Sequence, residues 1–331
     1  MTQKEELRVL ELCAGAGGQS SGLEQAGFQH ELAIEIDKDA AATLRLNRPA
    51  WNVLEGDIRE FDGRPYRGID LVAGGVPCPP FSVAGKQLGA DDERDLFPEA
   101  LRIVREAQPS AVMLENVKGL ATARFATYRA SILEQLEEAG YHAEWQLLYS
   151  SEYGVPQLRP RFILVAMKRS HFRSFNWPQP VGTPPSVGPV LFDLMAARGW
   201  EGAERWARGA NSIAPTLVGG SKKHGGADLG PTRAKEAWLK LGVDGKGIAD
   251  EAPGPELPKE HIPRLTNQMA ARIQGFAPDW LFSGRKTSVY RQIGNAFPAP
   301  TAKAVGVSIA RALGVEQTSE ISRVPILRAA S

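Results

Sequence analysis

Arg8-Val9-Leu10-Glu11-Leu12-Cys13 runs directly into Ala14-Gly15-Ala16-Gly17-Gly18. A short apolar run that ends in clustered glycines reads as a buried strand turning tightly into a helix, here over Ser20–Ala26. Glycines at such a turn let the backbone adopt positive φ and bring free amide groups close to a ligand. The alternation then repeats. Glu31–Ile36 reads as a second strand followed by a helix through Ala40–Leu46, and Val53-Leu54-Glu55 leads to a third strand end at Gly56-Asp57-Ile58. Strands alternating with helices predict an α/β fold on a largely parallel sheet, which gathers its chemistry at the carboxyl ends of its strands.

Three of those ends carry complementary groups. A glycine turn over residues 13–18 could take the anionic part of a ligand. Glu35, about twenty residues on, is placed to bond both hydroxyls of a ribose. Asp57 could accept an exocyclic amine, with Ile58 packing a base. Asp37 before Lys38-Asp39-Ala40 also suits a helix cap. The turn lacks the full dinucleotide fingerprint and no Gly-Lys-Ser/Thr follows, which disfavours NAD and ATP and favours a compact nucleoside such as S-adenosylmethionine.

A further strand, Ile69-Asp70-Leu71-Val72-Ala73, hands over at Gly74-Gly75 to Val76-Pro77-Cys78-Pro79-Pro80-Phe81-Ser82. Cys78 therefore belongs just beyond a strand end. A free cysteine is usually a small buried hydrophobe, but prolines on both sides argue against a regular element. Phe81–Glu93 is a polar, glycine-bearing loop suited to closing over a substrate. After a helix over Asp95–Ala107, the strand Ala111–Leu114 ends in Glu115-Asn116-Val117, which brings a carboxylate to the same edge, placed for proton transfer. A helix over Tyr128–Ala139 and a strand over Tyr141–Tyr149 lead to Gln157-Leu158-Arg159-Pro160-Arg161. In an extended chain Gln157, Arg159 and Arg161 would share one face, with Pro160 at a strand entrance.

The chain has 331 residues, 43% hydrophobic and 23% charged, with two cysteines, Cys13 and Cys78. That composition suits a globular protein of one large and one smaller domain and leaves no disulfide framework or cysteine-based metal site. A polar start without a signal-peptide core, and no apolar run of membrane-spanning length, lead to the expectation of a cytoplasmic protein. The net charge of +1 hides an asymmetry. Residues 1–150 carry 15 Lys and Arg against 24 Asp and Glu, and residues 151–331 carry 24 against 14. A C-terminal half at +10 suggests contact with a polyanion.

Taken together and in order, these motifs closely resemble the DNA (cytosine-5) methyltransferase family. The resemblance runs through most of residues 8–167 and 264–311. It adds Arg264-Leu265-Thr266, Ile273-Gln274-Gly275-Phe276 and Gln292-Ile293-Gly294-Asn295-Ala296-Phe297-Pro298 to the stretches quoted above. Cys13 stands where many members carry Phe, and Ile36 where some carry Trp. The resemblance implies an S-adenosylmethionine-dependent, Rossmann-like mixed sheet flanked by helices, with a smaller β- and loop-rich target-recognition domain. Cys78 would be the nucleophile on cytosine C6, Glu115 would bond or protonate N3, and Arg161 would hold O2. Arg159 and Gln157 would support the site, and Ser82 joins this catalytic set. Cys13, Ala14, Gly15, Gly17, Gly18, Glu35, Ile36, Asp57, Ile58, Pro77, Asn295 and Ala296 would surround the cofactor. C6 is shielded inside a duplex, so the base must be flipped out.

The expected organisation is a catalytic and cofactor domain over 1–167, a target-recognition domain over 168–285, a segment 286–314 returning to the first, and a peripheral tail over 315–331. Within 168–263, glycine- and proline-rich composition with Arg205, Arg208, Lys222, Lys223, His224, Arg233, Lys235, Lys240 and Lys246 predicts short strands and loops that meet DNA. Trp177, Trp200, Trp206 and Trp238 argue against a disordered linker. Ser82, Lys86 and Gln87 on the first loop, and Lys222, Lys223 and His224 in Thr216–Gly226, are the candidate DNA contacts. The leading expectation is a monomeric, sequence-specific enzyme on double-stranded DNA, paired functionally with a restriction endonuclease and nucleoid-associated when bound. A tRNA-methylating enzyme of the same family and a non-catalytic base-flipping protein are the alternatives.

Overall fold

A computed structural model describes residues 6–78, 95–220 and 228–315. Its centre is a seven-stranded sheet. The strands are β1 (Leu7–Leu12), β2 (Phe28–Glu35), β3 (Val53–Glu55), β4 (Leu71–Gly74), β5 (Ala111–Val117), β6 (Tyr141–Tyr149) and β7 (Pro160–Lys168), in the order 3-2-1-4-5-7-6. All neighbours pair in parallel except β7, which runs antiparallel to both β5 and β6. The order reverses between β1 and β4, which opens a crevice at their carboxyl ends.

Both faces of the sheet are covered, which explains why β4 and β7 read as near-continuous apolar runs. Strand alternation sorts the side chains. Leu10, Leu12, Val72 and Leu114 share a core with Phe97, Leu101 and Val104, on α3 (Phe97–Ala107). Val9, Leu71, Ala73 and Met113 share the opposite core with Leu23, Val305 and Ile309, on α1 (Gly18–Gln25) and α11 (Ala299–Ala312). Gly22 permits the close crossing of these two helices, since a Cβ there would lie 2.4 Å from the Ala299 carbonyl oxygen. The other helices of the first part are α2 (Lys38–Asn47), capped by Asp37, and α4 (Ala126–Glu138).

A separate core is built from later residues, including Leu191, Met195, Trp200, Trp206, Trp238 and Ile273. Buried tryptophans make this an ordered body. Its regular elements differ from expectation: the loops are present, but in place of short strands the described residues form α6 (Val187–Ala196), α7 (Ala203–Gly209), α8 (Thr232–Lys240) and α9 (Asn267–Ile273), after a one-turn α5 (Arg169–Phe172). Val187, Leu191 and Met195 recur every four residues and are buried, so helical periodicity decides where composition alone suggested breaks. Among the described residues, strand-like pairing there is limited to isolated bridges, Gln157 with Ala214 and Ala249 with Thr266. Helix α10 (Lys286–Asn295) then leads back toward the sheet. Among the described residues no helix is long and apolar enough to cross a membrane.

Candidate active site

A cavity of about 700 Å³ opens at the carboxyl ends of β1, β2, β4 and β5. Of the residues expected around a cofactor, Cys13, Ala14, Gly15, Gly18, Glu35, Ile36, Asp57, Ile58, Pro77, Asn295 and Ala296 line it. Gly17 does not. Its φ is +88°, and a Cβ there would lie 2.5 Å from the Trp280 ring, so this glycine is required by packing. Trp280 also donates its Nε1–H to the Ala16 carbonyl at 3.1 Å. The turn is thereby pinned by a residue whose place in the site the sequence did not reveal. Gly15, at φ +59°, faces open space and leaves its backbone open to close approach.

Glu35 holds the turn and the second strand end together. One carboxylate oxygen accepts the Gly15 N–H and the other the Asp37 N–H, both at 2.7 Å. Each oxygen keeps a further acceptor site, so the carboxylate fits a pair of vicinal hydroxyls. Burial pushes its pKa up, and the backbone hydrogen bonds from Asp37 and Gly15 oppose that shift. Asp37 caps α2. Asp57 is tied into its own turn, accepting the Arg59 N–H at 3.0 Å and pairing with the Arg59 guanidinium at 3.1 Å. Ile58 is buried and Ile36 two-thirds exposed, giving a base-binding wall with one open side.

Cys78 and Glu115 line the same cavity. Cys78 is half-buried, and its thiol donates to Asn116 Oδ1 at 2.9 Å. Asn116 Nδ2 donates to the Val76 carbonyl at 2.9 Å, so one side-chain amide orients both the thiol and the chain leading to it. The Leu96 N–H donates to the Pro77 carbonyl at 3.0 Å, which closes the far side of the loop. Burial pushes the Cys78 thiol up to about 12, opposed by the Asn116 hydrogen bond and reinforced by Asp95 and Glu115. Glu115 is buried and forms an ion pair with Arg161 Nε. In the β5–β7 ladder Glu115 lies opposite Ile163 and Val117 opposite Arg161, so acid and guanidinium are diagonal neighbours on one face.

The expected common face of Gln157, Arg159 and Arg161 is not formed. Arg159 has φ +24°, which breaks the alternation before β7 begins. Gln157 and Arg159 are wholly buried and outside the cavity lining. Arg159 donates to the carbonyls of Leu217, Gly294 and Ala296 at 2.8, 2.8 and 2.6 Å. Gln157 accepts the Leu217 N–H at 2.7 Å and donates to Gln274 at 2.8 Å. These two join the sheet to the later segments and act on the site through them. Arg161 also lies outside the lining, engaged with Glu115 and the Pro160 carbonyl. Among the expected DNA-facing cations, Arg205, Arg208 and Lys235 are paired with Glu260, Glu204 and Asp228. Ser82, Lys86, Gln87, Lys222, Lys223 and His224 lie outside the described residues. Sequence reasoning missed Gln19, Leu96, Arg291, Gln292 and Phe297 in the lining. It also passed over the role of Asn116, though that residue stood inside a quoted motif.

A thiol and a buried acid lining a nucleoside-sized cavity, on a sheet of this order, define a Rossmann-like group-transfer enzyme. A solved structure of a DNMT2 variant from Spodoptera frugiperda shares this fold, with a TM-score of 0.64 at 19% identity over 92% of this chain and 99% of that one. The family described as C-5 cytosine-specific DNA methylase matches residues 7–311, and this chain belongs to that family. Its relatives include Type II methyltransferase M.NaeI of Lentzea aerocolonigenes, 58% identical over 94% of this chain and 76% of that protein. Type II methyltransferase M.NgoMIV of Neisseria gonorrhoeae is 54% identical over 93% of this chain and 98% of that protein. The chain is a cytosine-5 DNA methyltransferase.

Proposed function

We propose that the enzyme methylates C5 of a flipped-out cytosine in one duplex sequence, with S-adenosylmethionine as donor and a covalent bond between Cys78 and cytosine C6 as intermediate. The observation that carries this reading is the meeting of Cys78, Glu115 and the nucleoside cavity at one sheet edge. The cavity fits the donor: Glu35 for the ribose, Ile36 and Ile58 for the base, and the open space beside Gly15, whose N–H is taken by Glu35, for the amino-acid end. When bound, S-adenosylmethionine supplies an electrophilic methyl group.

The protein must make C5 nucleophilic. Cys78, as thiolate, forms a bond to C6, and the π pair of C5=C6 moves to C5. Glu115, in its protonated form, donates to N3 and so relieves charge on the ring, and it recovers that proton when the ring regains its double bond; Arg161, expected at O2, lies outside the lining and instead fixes the orientation of Glu115. After C5 has been methylated, a base removes the C5 proton, the double bond re-forms and the thiolate leaves C6. Asn116 Oδ1 accepts the S–H of the neutral thiol, and that hydrogen bond is lost when the Cys78 proton leaves to solvent before attack. Residues 168–285 would carry target recognition beside the catalytic part over 1–167, with 286–314 completing the cofactor site. The relatives carry type II names, and we take a cognate restriction endonuclease to be the functional partner of a monomeric, cytoplasmic enzyme that associates with the nucleoid through DNA.

Incubating the protein with methyl-labelled S-adenosylmethionine and either duplex DNA or tRNA tests the reading. Label is expected in the duplex, and bisulfite sequencing is expected to place it at one cytosine of a recurring sequence. Label in tRNA alone, or cofactor binding without transfer, would overturn it.

A further inference from the structure

We infer that Arg291 is a positioning residue that grips a backbone phosphate of the flipped nucleotide at the rim of the cavity. The inference rests on the reading above that a nucleotide enters this cavity. The described lining is acidic, with Glu35, Asp37, Asp57 and Glu115 against two cations, Arg59 and Arg291. Arg59 is tied to Asp57. Arg291 is half-buried and makes no ion pair or side-chain hydrogen bond among the described residues.

A guanidinium held in a cavity wall without an acceptor marks the position of an anion that arrives with the ligand. Its planar fork matches two phosphate oxygens. The neighbourhood favours phosphate over the carboxylate of the donor. Arg291 lies one turn before Asn295 on α10, so both project from one side of the helix. The stretch at Gly219 packs so closely on that turn that a Cβ would lie 2.6 Å from both the Arg291 carbonyl oxygen and Asn295 Oδ1. Asn295 Nδ2 donates to the Gly220 carbonyl at 3.4 Å. Arg291 thus stands where the stretch at Gly219 and Gly220, next to the expected DNA-facing segment, packs on α10 and meets the cavity. The glycine turn, at the cofactor end, is backed instead by Ala296 and Phe297: a Cβ on Gly18 would meet the Phe297 carbonyl oxygen at 2.4 Å. An extruded base enters a pocket while its own phosphates stay at the rim, and there a charge-assisted contact both holds the nucleotide and fixes its depth.

The test compares the full-length protein with R291Q and R291K, measuring S-adenosylmethionine affinity by calorimetry and duplex affinity over a series of salt concentrations. A phosphate contact contributes about 0.9 to the slope of log affinity against log salt. R291Q is expected to lower that slope by about this amount and to weaken duplex binding roughly tenfold, with cofactor affinity within twofold of wild type. R291K is expected to keep the slope and recover part of the affinity, which a merely structural role would not require. An unchanged slope in R291Q overturns the assignment. So does a large loss of cofactor affinity at unchanged slope, which would give Arg291 to the donor's carboxylate. Wild-type protein that transfers no methyl group to duplex DNA would instead refute the functional reading itself.

Discussion

Burial pushes the Cys78 thiol up to about 12, and this has a measurable consequence for its reactivity. At pH 8 such a thiol is thiolate in about one molecule in 10⁴, against about one in ten for a thiol at the ordinary value of 9.0. The deficit is roughly 10³-fold. A more basic thiolate is intrinsically more nucleophilic, with a Brønsted coefficient of about 0.4–0.5, which over three units returns about 20-fold. Alkylation of Cys78 by iodoacetamide should therefore run about 50-fold slower than that of a free peptide thiol, before any further loss from restricted access. The assay is mass-spectrometric labelling of the C13S protein from pH 7 to 10, which isolates Cys78. The rate should rise about tenfold per pH unit with no plateau below pH 10. A rate within threefold of the free thiol, or a plateau near pH 9, would refute the claim that burial governs this group. The N116D variant sharpens the test, because a carboxylate in place of the amide that now lies 2.9 Å from sulfur should slow labelling further.

Four other outcomes are expected. C78A should abolish methyl transfer and leave S-adenosylmethionine affinity nearly unchanged by calorimetry, since the groups that fit the ribose and base, Glu35, Ile36 and Ile58, are other parts of the lining. E115Q should cut kcat by roughly 10²-fold or more with little change in duplex affinity; an unaltered rate would assign the Glu115–Arg161 pair to structure alone. Methylation, measured as kcat/KM, should rise with pH between 6 and 8, because the thiol must ionise before C6 is attacked. E11A should lower stability by roughly 2–5 kcal/mol in urea unfolding, because this wholly buried carboxylate accepts from Gln19 at 3.2 Å and contacts His30 Nε2 at 2.8 Å.

Much of the candidate site's sheet edge was legible because strand ends are local events. Leu71–Gly74 ends with its apolar run, and Ala111–Val117 continues three residues past Leu114, where its own apolar run ends, yet both runs point the same way along the sheet, so Cys78 and Glu115 could be placed toward one edge before any distance was known. The same holds for Glu35 and for the last helix, whose buried Val305 and Ile309 keep helical spacing. The later core was harder to read. Its glycines and prolines imitate a strand-and-loop segment, while Val187, Leu191 and Met195 make it helical.

Local order along the chain thus determined which residues stand at the carboxyl edge of the sheet, since periodicity and glycine placement act over a few residues. Only the tertiary structure decided what each of them touches. Gly17 packs on Trp280 across more than 260 residues of chain, Arg159 turns at φ +24° toward Leu217 and Gly294, and Arg291 arrives in a cavity wall whose other cation among the described residues is tied to Asp57. Those partners depend on how distant segments close over one another, and burial then sets the energetic state of each group, as it does for the thiol of Cys78.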